Sequence, residues 1–153
     1  MQSLSNYAKI PHNMELRMKN KTGRSFVGIM ILIAISALTI RIAIERIIEF
    51  TTAQNESSAS GTLKSISVAL ENFSRNNKGA YPTNFVSLTQ AKPAYLDKNY
   101  IAISPVKGYI YNCPKLDSTG YICSAVPVNC RLAGKTNYTI STGSLFFSEE
   151  CAK

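Results

Sequence analysis

The chain has 153 residues, which is room for one domain and an appendage but not for two sizeable hydrophobic cores. Its formal net charge is +8, and the basic residues that follow residue 24 are scattered singly along the sequence. A nucleic-acid surface instead clusters arginine with aromatic residues, so nucleic acid is not expected among the partners.

Much of the positive charge lies directly before an uncharged apolar run from Phe26 to Ile40. Such an excess of Lys and Arg keeps a segment on the cytoplasmic side of a membrane, so the pattern predicts a cytoplasmic N-terminus. One acid, Glu15, stands against five basic residues there: Lys9, Arg17, Lys19, Lys21 and Arg24.

The apolar run is short for a membrane helix, since its fifteen residues span about 22 Å against a hydrocarbon core of about 30 Å. The length also fits a secretory signal peptide that is cut near Ser36 or Ala37. The next segment, RIAIERIIEF (residues 41–50), argues against that cut because it continues as an amphipathic helix. A mature chain that began there would expose an apolar face without a role. We therefore expect the run and its continuation to form one uninterrupted helix.

The same helix is expected to continue through residues 51–64, a polar segment that composition alone would allow as a linker. Gly61 weakens a helix by about 1 kcal/mol relative to Ala without forbidding it. Gly79 is the expected C-terminal cap, and Pro82 follows it. One helix from about Arg24 to Asn77 would be about 80 Å long. Apolar residues at alternating spacings of four and three predict one buried stripe on it: Ala59, Leu63, Ile66, Leu70 and Phe73.

The remainder predicts a small antiparallel sheet. After Pro82 we expect a short helix or an irregular loop, which Pro93 interrupts. The segments GYIYNC (residues 108–113) and GYICSA (residues 120–125) alternate with period two. Because PKLDSTG between them carries turn residues, they predict a β-hairpin. Tyr109, Tyr111 and Cys113 share one face, and Tyr121, Cys123 and Ala125 share another.

One or two more strands are expected in TNYTISTG (residues 136–143) and SLFF (residues 144–147). The predicted class is therefore α+β, with three or four antiparallel strands that cover the stripe of the long N-terminal helix. Disulfides would compensate for so small a core.

The four cysteines lie in the C-terminal third, with nine, six and twenty residues between them and no C-x-x-C. An even number after an export-type segment predicts disulfides in an oxidising compartment rather than a zinc site. If the hairpin turns near residues 118–119, Cys113 lies opposite Cys123, and Cys130 pairs with Cys151. The alternative, Cys113–Cys151 with Cys123–Cys130, fits almost as well.

Little in the sequence points to catalysis. No histidine follows Arg24, so neither a Ser-His nor a Cys-His arrangement exists in the mature region. Neither a phosphate-binding glycine loop nor H-E-x-x-H occurs. Glu149 and Glu150 are interpreted as a solvated tail, and with Asp117 they are too few for a calcium site. We expect no enzymatic activity, no metal and no cofactor.

These segments together resemble the type IV pilins and the type II secretion pseudopilins. KTGRSFVGIMILIAISAL (residues 21–38) resembles the family's cleavage motif, a basic leader that ends in Gly before an apolar helix. LKSISVALENFSRNNKGAYPTNFVSL (residues 63–88) resembles the second half of the pseudopilin helix and the turn after it. Its matching residues are Ala69, Leu70, Glu71, Phe73, Asn77, Gly79, Tyr81, Pro82, Thr83 and Leu88.

The resemblance implies a structural subunit, at a minor position, of a type IV pilus or a type II secretion pseudopilus. Prepilin peptidase would cut between Gly23 and Arg24 and methylate the new amine. Residues 1–23 would be the leader, with residues 18–23 as its functional part. Residues 24–50 would form the membrane and filament-core helix, and residues 51–153 a pilin-like domain. The expected assembly residues are Phe26, Gly28, Ile31, Ile35 and Leu38.

The implied partners are other pilin-like subunits, prepilin peptidase, the inner-membrane assembly platform and membrane lipid. The chain would cross the inner membrane once, with its C-terminal domain periplasmic or on an extracellular filament.

Two positions depart from the family. Where it usually has Phe at the first mature position and Glu at the fifth, this chain has Arg24 and Gly28. The departures point away from a major subunit. They also leave room for a membrane-anchored binding module that never polymerises. A soluble secreted domain, released by a cut near Ala37, is the third alternative.

Overall fold

The computed structural model describes the backbone of residues 22–152 and the side chains of residues 26–152. It divides into two compact units, Met1–Ile40 and Arg41–Lys153. The predicted α+β class, with a long helix packed on an antiparallel sheet, is confirmed. The elements in chain order are α1 (Thr22–Asn76), α2 (Val86–Gln90), β1 (Tyr109–Asp117), β2 (Gly120–Pro127), β3 (Thr136–Ser141) and β4 (Leu145–Glu150).

Helix α1 passes through the polar segment without interruption and ends where the sequence indicates. The backbone turns left-handed at Lys78 (φ +56°) and Gly79 (φ +88°). The N–H groups of Asn77 and Gly79 then donate to the Ser74 carbonyl at 3.1 and 2.9 Å. These bonds satisfy a carbonyl that the end of a helix otherwise leaves without a partner.

The predicted apolar stripe is the buried side of α1. Ala59, Leu63, Ile66 and Leu70 are at most 1% exposed, and Phe73 is partly buried against the same core. Because side chains three and four residues apart lie on one side of a helix, these residues present a continuous surface to the sheet.

The sheet is a four-stranded antiparallel meander in the order β1-β2-β3-β4. One assignment of faces was wrong, because the two alternating sets of the hairpin lie on one face. Tyr111 is opposite Ala125, and Cys123 is opposite Ile140. Directly opposed residues point to the same side of a sheet. The buried face comprises Tyr109, Tyr111, Tyr121, Cys123, Ala125 and Ile140.

Strand β1 extends further than predicted, since Pro114 to Asp117 belong to the strand and not to the turn. The register shifts between Asn112 and Lys115, so Cys113 and Pro114 both oppose Cys123. This bulge accommodates a proline, which has no N–H for a ladder bond. The Asp117 carboxylate accepts bonds from the N–H groups of Thr119 and Gly120 and closes the shorter turn.

Strand β4 also runs further than predicted, to Glu150 instead of Phe147. Glu149 and Glu150 therefore belong to strand β4 instead of a tail, and both are exposed to solvent as expected. The disulfides join Cys113 to Cys123 across the hairpin and Cys130 to Cys151, the first of the two pairings considered. The second bridge ties the loop before β3 to the end of β4.

We expect Leu63→Ala to lower the free energy of unfolding by about 2–5 kcal/mol, because it leaves a cavity beneath the sheet. Val68 lies on the same helix but is 57% exposed, so Val68→Ala is the matched control. That control should change stability by less than about 0.5 kcal/mol. Urea unfolding of the detergent-solubilised chain, followed by tyrosine fluorescence, measures both. Equal losses would contradict the placement of the stripe.

Candidate interaction surface

The N-terminal part of α1 carries its apolar side chains uncovered in the described chain. Between Phe26 and Phe50 the large apolar side chains are 36–68% exposed. The expected assembly residues lie on this surface, with Phe26 67%, Ile31 54%, Ile35 54% and Leu38 61% exposed. At Gly28 an added Cβ would meet no atom within 4 Å. Residues Phe26–Phe50 are called the apolar surface below.

Up to Ile40 the apolar surface surrounds the helix instead of forming a stripe, a pattern typical of helices in lipid or in a protein core. By length and composition α1 could cross a membrane, and none of its most apolar stretch is buried in the described chain. The hydroxyl groups of Ser36 and Thr39 donate to the carbonyls of Ile33 and Ser36 at 2.9 and 2.8 Å. These side chains therefore need no water, which a lipid environment would deny them.

Between residues 41 and 50 charges appear on one side of α1. Arg41 pairs with Glu45 at 3.8 Å, and Arg46 pairs with Glu49 at 3.5 Å. Exposed pairs of this kind contribute little stability, but they distinguish a polar side from an apolar one. The amphipathic continuation is thus present as the sequence indicated.

The predicted processing site, Gly23 and Arg24, lies in the backbone of α1, and the side chain of Arg24 lies outside the described residues. Residues 1–21, which hold most of the expected leader, also lie outside them. Cleavage there stays a prediction.

The polar segment of α1 holds the loop before β3. Asn55 Nδ2 donates to the Ala133 carbonyl at 3.0 Å, and the Lys135 N–H donates to Glu56 Oε1 at 2.6 Å. Thr52, which is 2% exposed, adds a longer bond from its hydroxyl to the loop. The spacing of three and four residues that defines the buried stripe continues before Ala59, at Thr52, Asn55 and Glu56. A search for helical periodicity among polar residues would have found them.

Glu71 joins α1 to the sheet through a second polar cluster. Its Oε2 accepts a bond from the Tyr81 hydroxyl at 3.0 Å. Its Oε1 accepts bonds from the Tyr121 hydroxyl at 3.0 Å and the Gly143 N–H at 2.9 Å. Ser67 Oγ lies 2.8 Å from Tyr121 Oη. One carboxylate thus satisfies groups from a loop, β2 and the β3–β4 turn.

Burial raises the pKa of the tyrosines around this cluster. For Tyr121, burial is the largest cause, and the hydrogen bond to Glu71 also raises its pKa. The pKa of Tyr81 is raised by burial and then by its hydrogen bond to Glu71. Burial likewise raises the pKa of Tyr109, whose hydroxyl donates to the Thr136 carbonyl at 2.9 Å. Each phenol therefore stays neutral in the folded chain at pH values where the unfolded chain ionises.

The acids considered for calcium do not come together. Asp117 is on β1 and Glu149 is on β4, at opposite edges of the sheet. The hydrogen bonds from Thr119 lower the pKa of Asp117, so its carboxylate is already used in the turn. Residues 22–152 contain no group of three or more His, Cys, Asp or Glu side chains that could hold a metal ion.

No family model, curated protein or solved structure matches this chain.

We expect Tyr121→Phe to destabilise the chain by about 1–3 kcal/mol at pH 8, because Glu71 and Ser67 lose a buried partner. Since folding raises the pKa of Tyr121 above the unfolded value of 10.0, this residue's contribution to stability is present below pH 10 and is lost as the pH rises. The wild type should therefore lose more stability than Tyr121→Phe between pH 10 and pH 11. Urea unfolding at both pH values provides the comparison. Parallel losses would show that folding leaves the ionisation of Tyr121 unchanged.

Proposed function

We propose that this chain is a structural subunit, at a minor position, of a filament of the type IV pilus or type II secretion pseudopilus kind. The observation that carries the proposal is the contrast within α1. Its second half buries one stripe against the chain's own sheet, whereas its first half leaves apolar side chains uncovered in the described chain. A soluble domain has no use for the first half of such a helix.

The mechanism is packing. Before assembly, lipid covers the apolar surface, and the basic residues before Phe26 hold the N-terminus on the cytoplasmic side of the inner membrane. In the filament, the same surface packs against other pilin-like subunits, and residues 51–153 face the periplasm or the outside. Close packing between helices and removal from water or lipid supply the driving force. Prepilin peptidase and the inner-membrane assembly platform are the implied partners in this process.

Gly28 supports the minor position. A carboxylate at this place would meet the N-terminal amine of a neighbouring subunit, and an unpaired charge inside hydrocarbon is costly. Gly28 offers no such carboxylate, so the chain would suit a site where that pairing is not needed.

Gly28 also favours a second candidate, a membrane-anchored binding module that does not polymerise. In that case lipid alone would cover the apolar surface.

If the chain is a pilin-like subunit, co-expression with prepilin peptidase should remove residues 1–23 and leave a chain that begins at Arg24. Glycine exposes its backbone to a peptidase, and Arg24 can keep its charge in the interfacial layer by snorkelling. Intact mass and N-terminal sequencing of the membrane-extracted protein provide the measurement, and methylation adds a characteristic mass increment.

Gly23→Leu is the control and should stay uncut. A chain that starts near Ala37 would show a secreted domain instead, and an intact leader would leave the anchored module.

Gly28→Glu should raise the amount of this chain in sheared filaments at equal expression if assembly is its role. An increase of about fivefold corresponds to roughly 1 kcal/mol of added pairing energy. The site has room for the side chain, since nothing lies within 4 Å of an added Cβ. Gly28→Gln matches the size without the charge and should resemble the wild type. Absence of all three proteins from filaments would favour the solitary anchor.

A further inference from the structure

The two edges of the sheet differ. At the β1 edge, Pro114 and the bulge opposite Cys123 disrupt the regular ladder. The β4 edge has neither, because all six of its residues pair with β3 in one register without a bulge or a proline. Natural proteins usually protect an edge by features like those of β1. Strand β4 is therefore the edge at which another strand could pair.

The open side of β4 presents backbone donors and acceptors at every second residue. The Cys151 N–H donates to the Lys135 carbonyl at 2.9 Å, which continues the register of β3 and β4. Since the direction of these groups alternates along a strand, those of Leu145, Phe147 and Glu149 point to β3. The groups of Phe146, Ser148 and Glu150 point away from β3, and residues 22–152 give them no further backbone partner.

Side chains beside this edge specify what could bind. A hollow of about 420 Å³ lies over the outer face of β3 and β4, lined by Asn137, Thr139, Phe147, Ser148 and Glu149. Phe147 is 59% exposed and offers an apolar contact. Asn137 Oδ1 is buried without a hydrogen-bond partner in the described chain, which marks an acceptor that lacks a donor. Glu149 takes part in none of the ion pairs of the described residues.

The charges disfavour a second copy of β4 as the occupant. In an antiparallel pair centred on Ser148, each Glu149 would oppose a Phe147 and gain no cation. A pair centred on Glu149 would bring two carboxylates face to face, which is destabilising. A strand with a basic residue opposite Glu149 would instead supply a cation for its carboxylate.

We propose that the β4 edge binds an extended peptide segment by strand addition. The peptide hydrogen-bonds to the open backbone groups of β4, places an apolar side chain on Phe147, and places a Lys or Arg beside the carboxylate of Glu149. Backbone pairing provides affinity, and the alternate side chains provide specificity. The inference does not depend on assembly through α1, since it uses residues of the sheet alone.

Fluorescence anisotropy on the full chain in detergent micelles tests this. The probe is a labelled nine-residue peptide of alternating Val and Thr with two lysines at one end. We expect it to bind at least about fivefold more tightly than the same peptide with two glutamates, because opposite charges meet beside the edge. If the lysine peptide does not bind, or if both peptides bind equally, the proposal is wrong.

Matched variants test the side-chain contact at Glu149 separately from the backbone pairing of β4. Glu149→Gln should weaken binding of the lysine peptide about two- to fivefold, the range expected of an exposed ion pair. Glu150→Gln is the control, because neighbouring side chains of a strand point to opposite faces, and it should change binding by less than about 1.5-fold.

Ser148→Pro removes an outward N–H and should abolish binding, whereas Ser148→Ala should retain it. The near-ultraviolet circular dichroism spectrum checks that each variant is folded. If Ser148→Pro does not fold, the comparison of Glu149→Gln with Glu150→Gln decides, and equal binding by that pair would overturn the proposal.

Discussion

The unit Arg41–Lys153 depends on one contact, the packing of a single helical stripe against one face of a four-stranded sheet. Among residues 22–152, α1 packs on one face of the sheet, and the strand order places β2 and β3 between two edges. The stripe of the helix contributes four residues to the buried core: Ala59, Leu63, Ile66 and Leu70. Leu88 and Leu96, which follow the helix in the chain, belong to the same core. A sheet of this size is stable only when an apolar face is covered. The turns, disulfides and polar clusters described above hold the strands in register on that stripe.

The same helix shows four surface patterns in succession along its length. It is apolar on all sides to Ile40, amphipathic to Phe50, polar at Thr52 to Glu56 and striped from Ala59 onward. Each pattern suits a different environment: lipid or a protein core, a boundary with water, a hydrogen-bonded loop and the chain's own core. The loop contact at Thr52 to Glu56 is where the chain first begins to cover its own helix.

Local periodicity made much of this fold predictable. The extent of α1, its end at Gly79, the buried stripe and the hairpin follow from spacings within one element or from adjacent turn residues. The bulge at Pro114 and the common face of Tyr111 and Ala125 could not be predicted, because they depend on register between strands. The polar contacts were harder still, since Glu56 and Lys135 are 79 residues apart. The outward-pointing backbone groups of β4 could not be predicted either. The predicted strand ended at Phe147, and the pair Glu149 and Glu150 did not indicate that it continues to Glu150.

The register of the strands over the core depends on buried tyrosines as much as on aliphatic residues. Leu or Ile can slide past a neighbour at little cost, but a buried phenol must bring its hydroxyl to a partner. Tyr109 reaches the Thr136 carbonyl, and Tyr121 reaches Glu71. Gly134 shows how closely this fits, because an added Cβ would overlap the hydroxyl of Tyr109. A one-residue slip of β3 would leave the hydroxyl of Tyr109 unsatisfied and bury the wrong face of that strand. The hydroxyl groups of Tyr109 and Tyr121 therefore specify the arrangement of this small core more strongly than apolar contacts alone would.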